Sequence, residues 1–234
     1  MITSKEQPKH GICLKVFSYF YNLVNKILLK YRLSIIYYFY IDSKLLELIR
    51  HLRYQQEMLL TFTEAVQLVD CLNSCLKLDG SIAEVGVYRG GSAKLMCNYK
   101  STKELYLFDT FEGLPYLDKE SNYFKKGQYS SPFEAVKSSL QNYENIYIFK
   151  GLFPASALPV EEKRFCFVHL DVDLYKSTKD CLEFFYNRMT RGGMILSHDY
   201  PLIPGVKKAF DEFFEGKPEC VIKMSGNQAL VVKS

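Results

Sequence analysis

Residues 81–91 read SIAEVGVYRGG, and this stretch decides the fold. SIAEV is a short apolar run followed at once by a turn with glycines at 86, 90 and 91. A short apolar run bounded by glycine reads as a strand buried on both faces. The glycines let the backbone turn tightly and approach a ligand, and a helix over 91–99 then presents free N–H groups at its first turn. The same alternation continues outward. ELYLFD (104–109), NIYIFKG (145–151), RFCFVHLD (164–171) and GGMILSHD (192–199) read as strands. Residues 62–77, with Thr63 as cap, and 132–142, 175–189 and 204–215 read as helices. CVIKM (220–224) and QALVVK (228–233) read as a closing hairpin across Ser225-Gly226-Asn227. Strand–helix alternation implies right-handed crossovers and an α/β fold: a mostly parallel sheet of these seven strands, helices on both faces, and an antiparallel strand from the hairpin.

The chain has 234 residues, 48% of them hydrophobic, which suits one α/β domain (61–234) with an N-terminal extension (1–60). Net charge is +4, but residues 1–60 carry nine Lys/Arg against four acids, leaving the rest near −1. The asymmetry marks an appended basic segment. Within it, Val16, Phe17, Phe20, Leu23, Val24 and Ile27 fall on one side of a helix over 12–30, with Lys15, Lys26 and Lys30 opposite. Such a helix packs on the domain, packs on a second copy in a homo-oligomer, or lies on a membrane surface. It does not span a membrane: its uncharged runs are ten residues (16–25) and nine (33–41), where a span needs about 20. No leader peptide is read, because the apolar region starts too late. Seven cysteines without a CxxC pair fit reduced thiols, hence a cytoplasmic protein, peripheral to the inner membrane face if that helix binds lipid. The domain has no basic stripe and no NPPY-like motif for a flipped base, so no nucleic-acid partner is expected.

In such sheets ligands sit beyond the carboxyl ends of the strands. The first strand ends in Glu84-Val85-Gly86-Val87-Tyr88-Arg89-Gly90-Gly91. The spacing ExGxxxGG is typical of the first motif of S-adenosylmethionine methyltransferases and is not the GxGxxG of NAD sites. Asp109 ends the second strand, 25 residues after Glu84; an acid there accepts hydrogen bonds from ribose hydroxyls, unless it is a solvated strand-end residue. Asp171-Val172-Asp173 ends the fourth strand and His198-Asp199 the fifth. Carboxylates from adjacent strand ends repel one another, and a hard cation is the simplest compensation. The competing reading is that Asp171 or Asp173 caps the helix beginning near Tyr175. His169, inside its strand, reads as a packed residue.

The segments AEVGVYRGGSA, LYLFDTFEGLP, FKGLFPASAL, HLDVDLYKST and GGMILSHDYP, in this order, resemble the macrocin O-methyltransferase family (TylF/MycF type) over roughly residues 60–234. The resemblance implies a Rossmann-like class I methyltransferase fold, S-adenosyl-L-methionine, and Mg²⁺. It also implies methylation of a sugar hydroxyl on a glycosylated small molecule or polysaccharide precursor. By position it assigns Glu84, Gly86, Tyr88 and Gly90 to the cofactor loop, and Asp109 to the ribose with Thr110, Phe111 and Glu112 beside it. Gly151 and Phe153 fall near the adenine or the acceptor entrance, and Asp171 and Asp199 on the metal. Where the family carries two acids this chain has His198-Asp199, and an imidazole ligand shifts preference from Mg²⁺ toward Mn²⁺. Transfer is then in-line from the sulfonium methyl to an oxygen, with Asp171 as ligand and base, and Asp173 and His198 in reserve. Two rivals share these features. A catechol-type enzyme acting on a planar phenol often has Lys three residues after the metal Asp, where Leu174 stands. A non-catalytic binding module need not keep Glu84, Asp109, Asp171 and Asp199.

Overall fold

The structure, a computed structural model, describes residues 41–117, 119 and 124–234, together with Val24. The helix expected over 12–30 lies outside these residues, apart from Val24, which is helical. Residues 43–234 form one compact unit. Its elements are helix α1 (Ser43–Tyr54), helix α2 (Phe62–Cys75), strand β1 (Ser81–Val85), helix α3 (Gly91–Tyr99), strand β2 (Leu105–Asp109), helix α4 (Phe133–Leu140) and strand β3 (Ile146–Lys150). A 3-10 helix (Ala155–Val160), strand β4 (Phe165–Leu170), helix α5 (Tyr175–Tyr186), strand β5 (Met189–Ser197), helix α6 (Pro204–Phe214) and strands β6 (Ile222–Lys223) and β7 (Ala229–Val232) complete it.

The seven strands lie in the order β3-β2-β1-β4-β5-β7-β6. All neighbours pair in parallel except β7, which is antiparallel to both β5 and β6. After β3 the chain crosses to the other side of β1, so β1 and β4 form the topological switch point, where such sheets open a crevice. β1 and β4 are buried along their whole length, as the continuous apolar runs SIAEV and FCFVHL require of central parallel strands. Period-2 alternation divides them between two faces. Ala83, Val85, Phe108, Val168 and Leu170 join one aromatic-rich core with Phe153, Phe185 and Phe210. On the other alternation, Glu84 and His169 stand directly opposite each other on β1 and β4.

Two expectations need correction. The compact unit begins at Ser43 and not at residue 61. Leu45, Ile49 and Leu52 follow helical spacing and are buried, and α1 packs on α2 and α3. The following segment packs on the domain through the buried Met58 and Leu60, and a Cβ on Gly91 would lie 2.5 Å from the Glu57 carbonyl oxygen, so the chain before α2 lies against the start of α3. The cap of α2 is Thr61, not Thr63. Thr61 and Glu64 form a reciprocal capping box, with the Thr61 hydroxyl accepting from the Glu64 N–H and the Glu64 carboxylate accepting from the Thr61 N–H. Element ends also shift: β5 starts at Met189, earlier than its glycines suggested, and α5 stops at Tyr186.

Among the described residues no helix is long and apolar enough to cross a membrane. Because Leu52 is only 1% exposed, Leu52→Ala is expected to cost about 2–5 kcal/mol of stability in urea unfolding. A loss below about 1 kcal/mol, in the range of surface changes, would show that α1 is not part of the core.

Candidate active site

The carboxyl edge of the sheet is held by one hydrogen bond per strand end. Gly151 N–H donates to Asp109 O at 2.9 Å, Gly86 to Phe108 O at 2.9 Å, Asp171 to Val85 O at 2.9 Å and His198 to Leu170 O at 2.8 Å. Each residue that leaves a strand is therefore anchored to a carbonyl at or next to its neighbour's end. At the switch point this brings two backbones into direct contact. Gly86 has φ 91°, and a Cβ there would sit 1.9 Å from the Asp171 carbonyl oxygen. No residue with a side chain fits, so Gly86 is required by packing before any ligand is considered.

Above this edge lies a cavity of about 250 Å³, close to the lower end of the range for small-molecule sites. Gly86, Tyr88, Asp109, Thr110 and Gly151 line one part of it; Asp171, Asp173, His198 and Asp199 line another. The structure thus brings these nine expected site residues to one place. Glu84, Gly90 and Phe111 do not line the cavity. Gly90 has φ 83° and precedes α3. Phe111 turns inward against the Phe133 ring, 5.0 Å between centroids.

Glu84 is fully buried, with Oε1 2.9 Å from His169 Nδ1. Its other oxygen and His169 Nε2 have no hydrogen-bond partner. Burial raises the Glu84 carboxyl, and the hydrogen bond and charge of His169 pull it back. His169 is packed, as its place within the strand suggested, but it is packed against a carboxylate and not in an apolar wall.

Asp109 carries more of the local architecture than a ribose acceptor needs. Its Oδ2 accepts from Val87 N–H at 2.7 Å and Tyr88 N–H at 2.8 Å, and its Oδ1 from Phe111 N–H at 2.7 Å. An ionised carboxylate has about four lone-pair sites, so one remains for a ligand hydroxyl. The loop it gathers is fixed elsewhere too. Tyr88 sits at φ 50° with its carbonyl bonded by the Ser131 hydroxyl, and its ring meets Tyr129 edge-on at 6.0 Å. Thr110 Oγ1 donates to Gly113 O at 2.8 Å and tightens the next turn.

In the acidic part, His198 is the hub. Its Nδ1 is 3.2 Å from Asp171 Oδ1 and 3.1 Å from Asp199 Oδ2, and its Nε2 is 3.4 Å from Glu64 Oε2. Burial lowers the imidazole's pKa, but the charge and hydrogen bond of Asp171, with the carboxylates of Asp199 and Glu64 close by, outweigh it and raise it. Burial, then the charges of Asp171 and Asp199, push the Asp173 carboxyl well above the usual range. Asp173 and Asp199 adopt φ 59° and 60°, a region uncommon for residues other than glycine. The cap reading of these acids fails: the N-cap of α5 is Leu174, and neither acid caps it.

One ligand atom each from Asp171, His198 and Asp199 lies within 4.8 Å of the others. Two hard oxygens and one imidazole nitrogen, converging in a cavity and crowded enough to repel, fit a divalent cation. Glu64, Leu59, Tyr129 and Leu152 were not expected here. The last three line the cavity although exposed. Glu64 had a readable signal in the T-x-x-E spacing from Thr61, but that signal specifies a cap and not a role at the site.

Over 140 residues the chain is 28% identical to 8-demethyl-8-(2,3-dimethoxy-alpha-L-rhamnosyl)-tetracenomycin-C 4'-O-methyltransferase of Streptomyces olivaceus, covering 53% of this chain and 54% of that protein. Over 151 residues it is 25% identical to demethyldecarbamoylnovobiocin O-methyltransferase of Streptomyces niveus, covering 57% and 58%. The matches span little more than half the length of these relatives. The solved structure of the O-methyltransferase NovP superposes with a TM-score of 0.69 at 20% identity, covering 76% of this chain and 82% of that one. That likeness establishes the class I Rossmann-like methyltransferase fold. The macrocin O-methyltransferase (TylF) family model matches residues 61–219, more than half of the chain, and the chain belongs to that family.

Proposed function

We propose that this protein is an S-adenosylmethionine-dependent O-methyltransferase that acts on a hydroxyl of a sugar carried by a small-molecule or glycan acceptor. The observation that carries the reading is the single cavity in which the glycine loop and Asp109 stand beside the Asp171–His198–Asp199 cluster. A cofactor placed on the first wall presents its methyl group toward an oxygen placed on the second. Family membership and relatives that methylate rhamnosyl and novobiocin-type compounds support the acceptor class.

The chain's own residues then divide the work. Gly86 lets the loop lie against the floor of the cavity without a side chain. Asp109 holds the loop and keeps one lone pair for a ribose hydroxyl. Asp171 and Asp199, with His198 Nδ1, are the groups that would hold Mg²⁺ or Mn²⁺. When bound, such a cation lowers the pKa of a coordinated hydroxyl and fixes its position. The proton leaves the acceptor oxygen for the carboxylate of Asp171 as the C–S bond breaks and the C–O bond forms. The products are a methyl ether and S-adenosylhomocysteine. Most of the rate gain comes from holding the two reactants in line and excluding water.

A catechol-type acceptor is the less favoured reading, since Leu174 stands where those enzymes often place a lysine and is fully buried. For residues 12–30 the basic amphipathic pattern supports peripheral contact with an anionic membrane surface or with a second copy. Co-sedimentation of the full chain with anionic liposomes, falling as salt rises, is the expected outcome for membrane contact; no sedimentation at low salt removes it.

Two substitutions separate the two walls. Asp109→Ala is expected to weaken S-adenosylmethionine binding by about 1–3 kcal/mol in calorimetry with EDTA present. Asp171→Ala should leave that affinity within a few-fold and abolish methylation of glycosylated acceptors, read by mass spectrometry. Full turnover in chelator would remove the cation from the reaction, and unchanged affinity in Asp109→Ala would remove Asp109 from the cofactor site.

A further inference from the structure

We propose that Glu64 is the positioning residue of the cation site: from helix α2 it holds the Nε2 edge of His198, so that Nδ1 faces the carboxylates of Asp171 and Asp199. The proposal rests on the cation reading above. A histidine ligand coordinates through one ring nitrogen, and the other must donate to an acceptor that fixes the tautomer and the ring's orientation. In this structure Nδ1 points at Asp171 Oδ1 (3.2 Å) and Asp199 Oδ2 (3.1 Å), the two groups that would share the ion. Nε2 is buried with no hydrogen bond, and Glu64 Oε2 faces it at 3.4 Å.

Glu64 itself is not free to turn. Its Oε2 accepts from Thr61 N–H at 2.8 Å and Thr61 Oγ1 at 2.7 Å, and its Oε1 from Asn227 N–H at 2.8 Å. The turn that supplies Asn227 packs tightly on it, since a Cβ on Gly226 would lie 2.7 Å from Glu64 Oε1. That turn is tied back to α2 by Gln67, whose Nε2 donates to Ser225 O at 2.9 Å. Glu64 is 1% exposed and does not line the cavity, so it touches neither cofactor nor acceptor. A capping residue alone needs no partner on its far side. This one is aimed at the imidazole of a candidate ligand.

The test uses the full chain and Mn²⁺ alone, followed by electron paramagnetic resonance. In the wild-type protein, bound Mn²⁺ should show modulation from one coordinated histidine nitrogen. Glu64→Gln keeps the size and an acceptor for the cap but loses the charge, and should weaken Mn²⁺ binding 10–100-fold, the usual effect of removing an outer-shell partner. S-adenosylmethionine affinity should stay within about threefold, because the cofactor wall is untouched. Thr61→Val removes the cap hydroxyl and leaves the carboxylate opposite His198; it should lower the melting temperature with Mn²⁺ affinity within about threefold. Unchanged Mn²⁺ affinity in Glu64→Gln, or an equal loss in Thr61→Val, overturns the role of Glu64 and leaves the cation site standing. Bound Mn²⁺ without a histidine nitrogen overturns the proposal without any variant. No Mn²⁺ binding by the wild-type protein overturns the cation site and the proposal with it.

Discussion

Everything at the site depends on the contact between Gly86 and the backbone of Asp171. β1 and β4 are neighbours at the switch point, and the Asp171 N–H is bonded to the Val85 carbonyl. That bond carries the end of β4 so close to the loop after β1 that there is room for no Cβ at 86. The consequence is positional. The loop that Asp109 gathers and the acids that follow β4 and β5 become two walls of one cavity, although Asp109 and Asp199 are 90 residues apart in sequence. The remaining edge bonds, from Gly151 and His198, extend the same registration outward to β3 and β5.

The second constraint is electrostatic. Three carboxylates, from Asp171, Asp199 and Glu64, approach one imidazole in a site that is mostly shielded from water. Charges removed from water must be compensated locally. His198 supplies positive charge at the centre of the three carboxylates, and its basicity is raised in consequence. Glu64, facing burial on one side and His198, Asn227 and Thr61 on the other, is held ionised with a pKa of about 2. By contrast Asp173, which the imidazole does not neutralise as fully, is driven toward its protonated form. The same crowding that makes the cluster costly makes it receptive to a dication.

The sequence carried the fold well because its signals were local. SIAEV, between Gly80 and Gly86, and the short apolar runs LYLFD and FCFVHL read as buried strands, and all seven strands lie within a few residues of where the sequence puts them. The acids at strand ends were equally legible, since parallel strands bring their carboxyl ends together. What could not be read was anything decided by three-dimensional packing. Helix α1 falls within the segment read as appended because residues 1–60 taken together carry nine Lys/Arg against four acids; only burial of Leu45, Ile49 and Leu52 reveals its place in the domain. Glu84 was assigned to the cofactor loop from its motif position, while the sheet register sets it opposite His169 beneath that loop. The Thr61–Glu64 spacing could have named the cap, but nothing local pointed to the other partners of Glu64, Asn227 and His198, which are more than 130 residues away.

The central claim is that cofactor and cation occupy adjacent walls of the same cavity. The most direct measurement is a crystal structure grown with S-adenosylhomocysteine and Mn²⁺, with anomalous diffraction collected for manganese. The account predicts the nucleoside along Gly86–Tyr88 with a ribose hydroxyl on Asp109, and an anomalous peak among Asp171, His198 and Asp199. Cofactor bound elsewhere, or manganese density absent from that cluster with the cofactor in place, would contradict it.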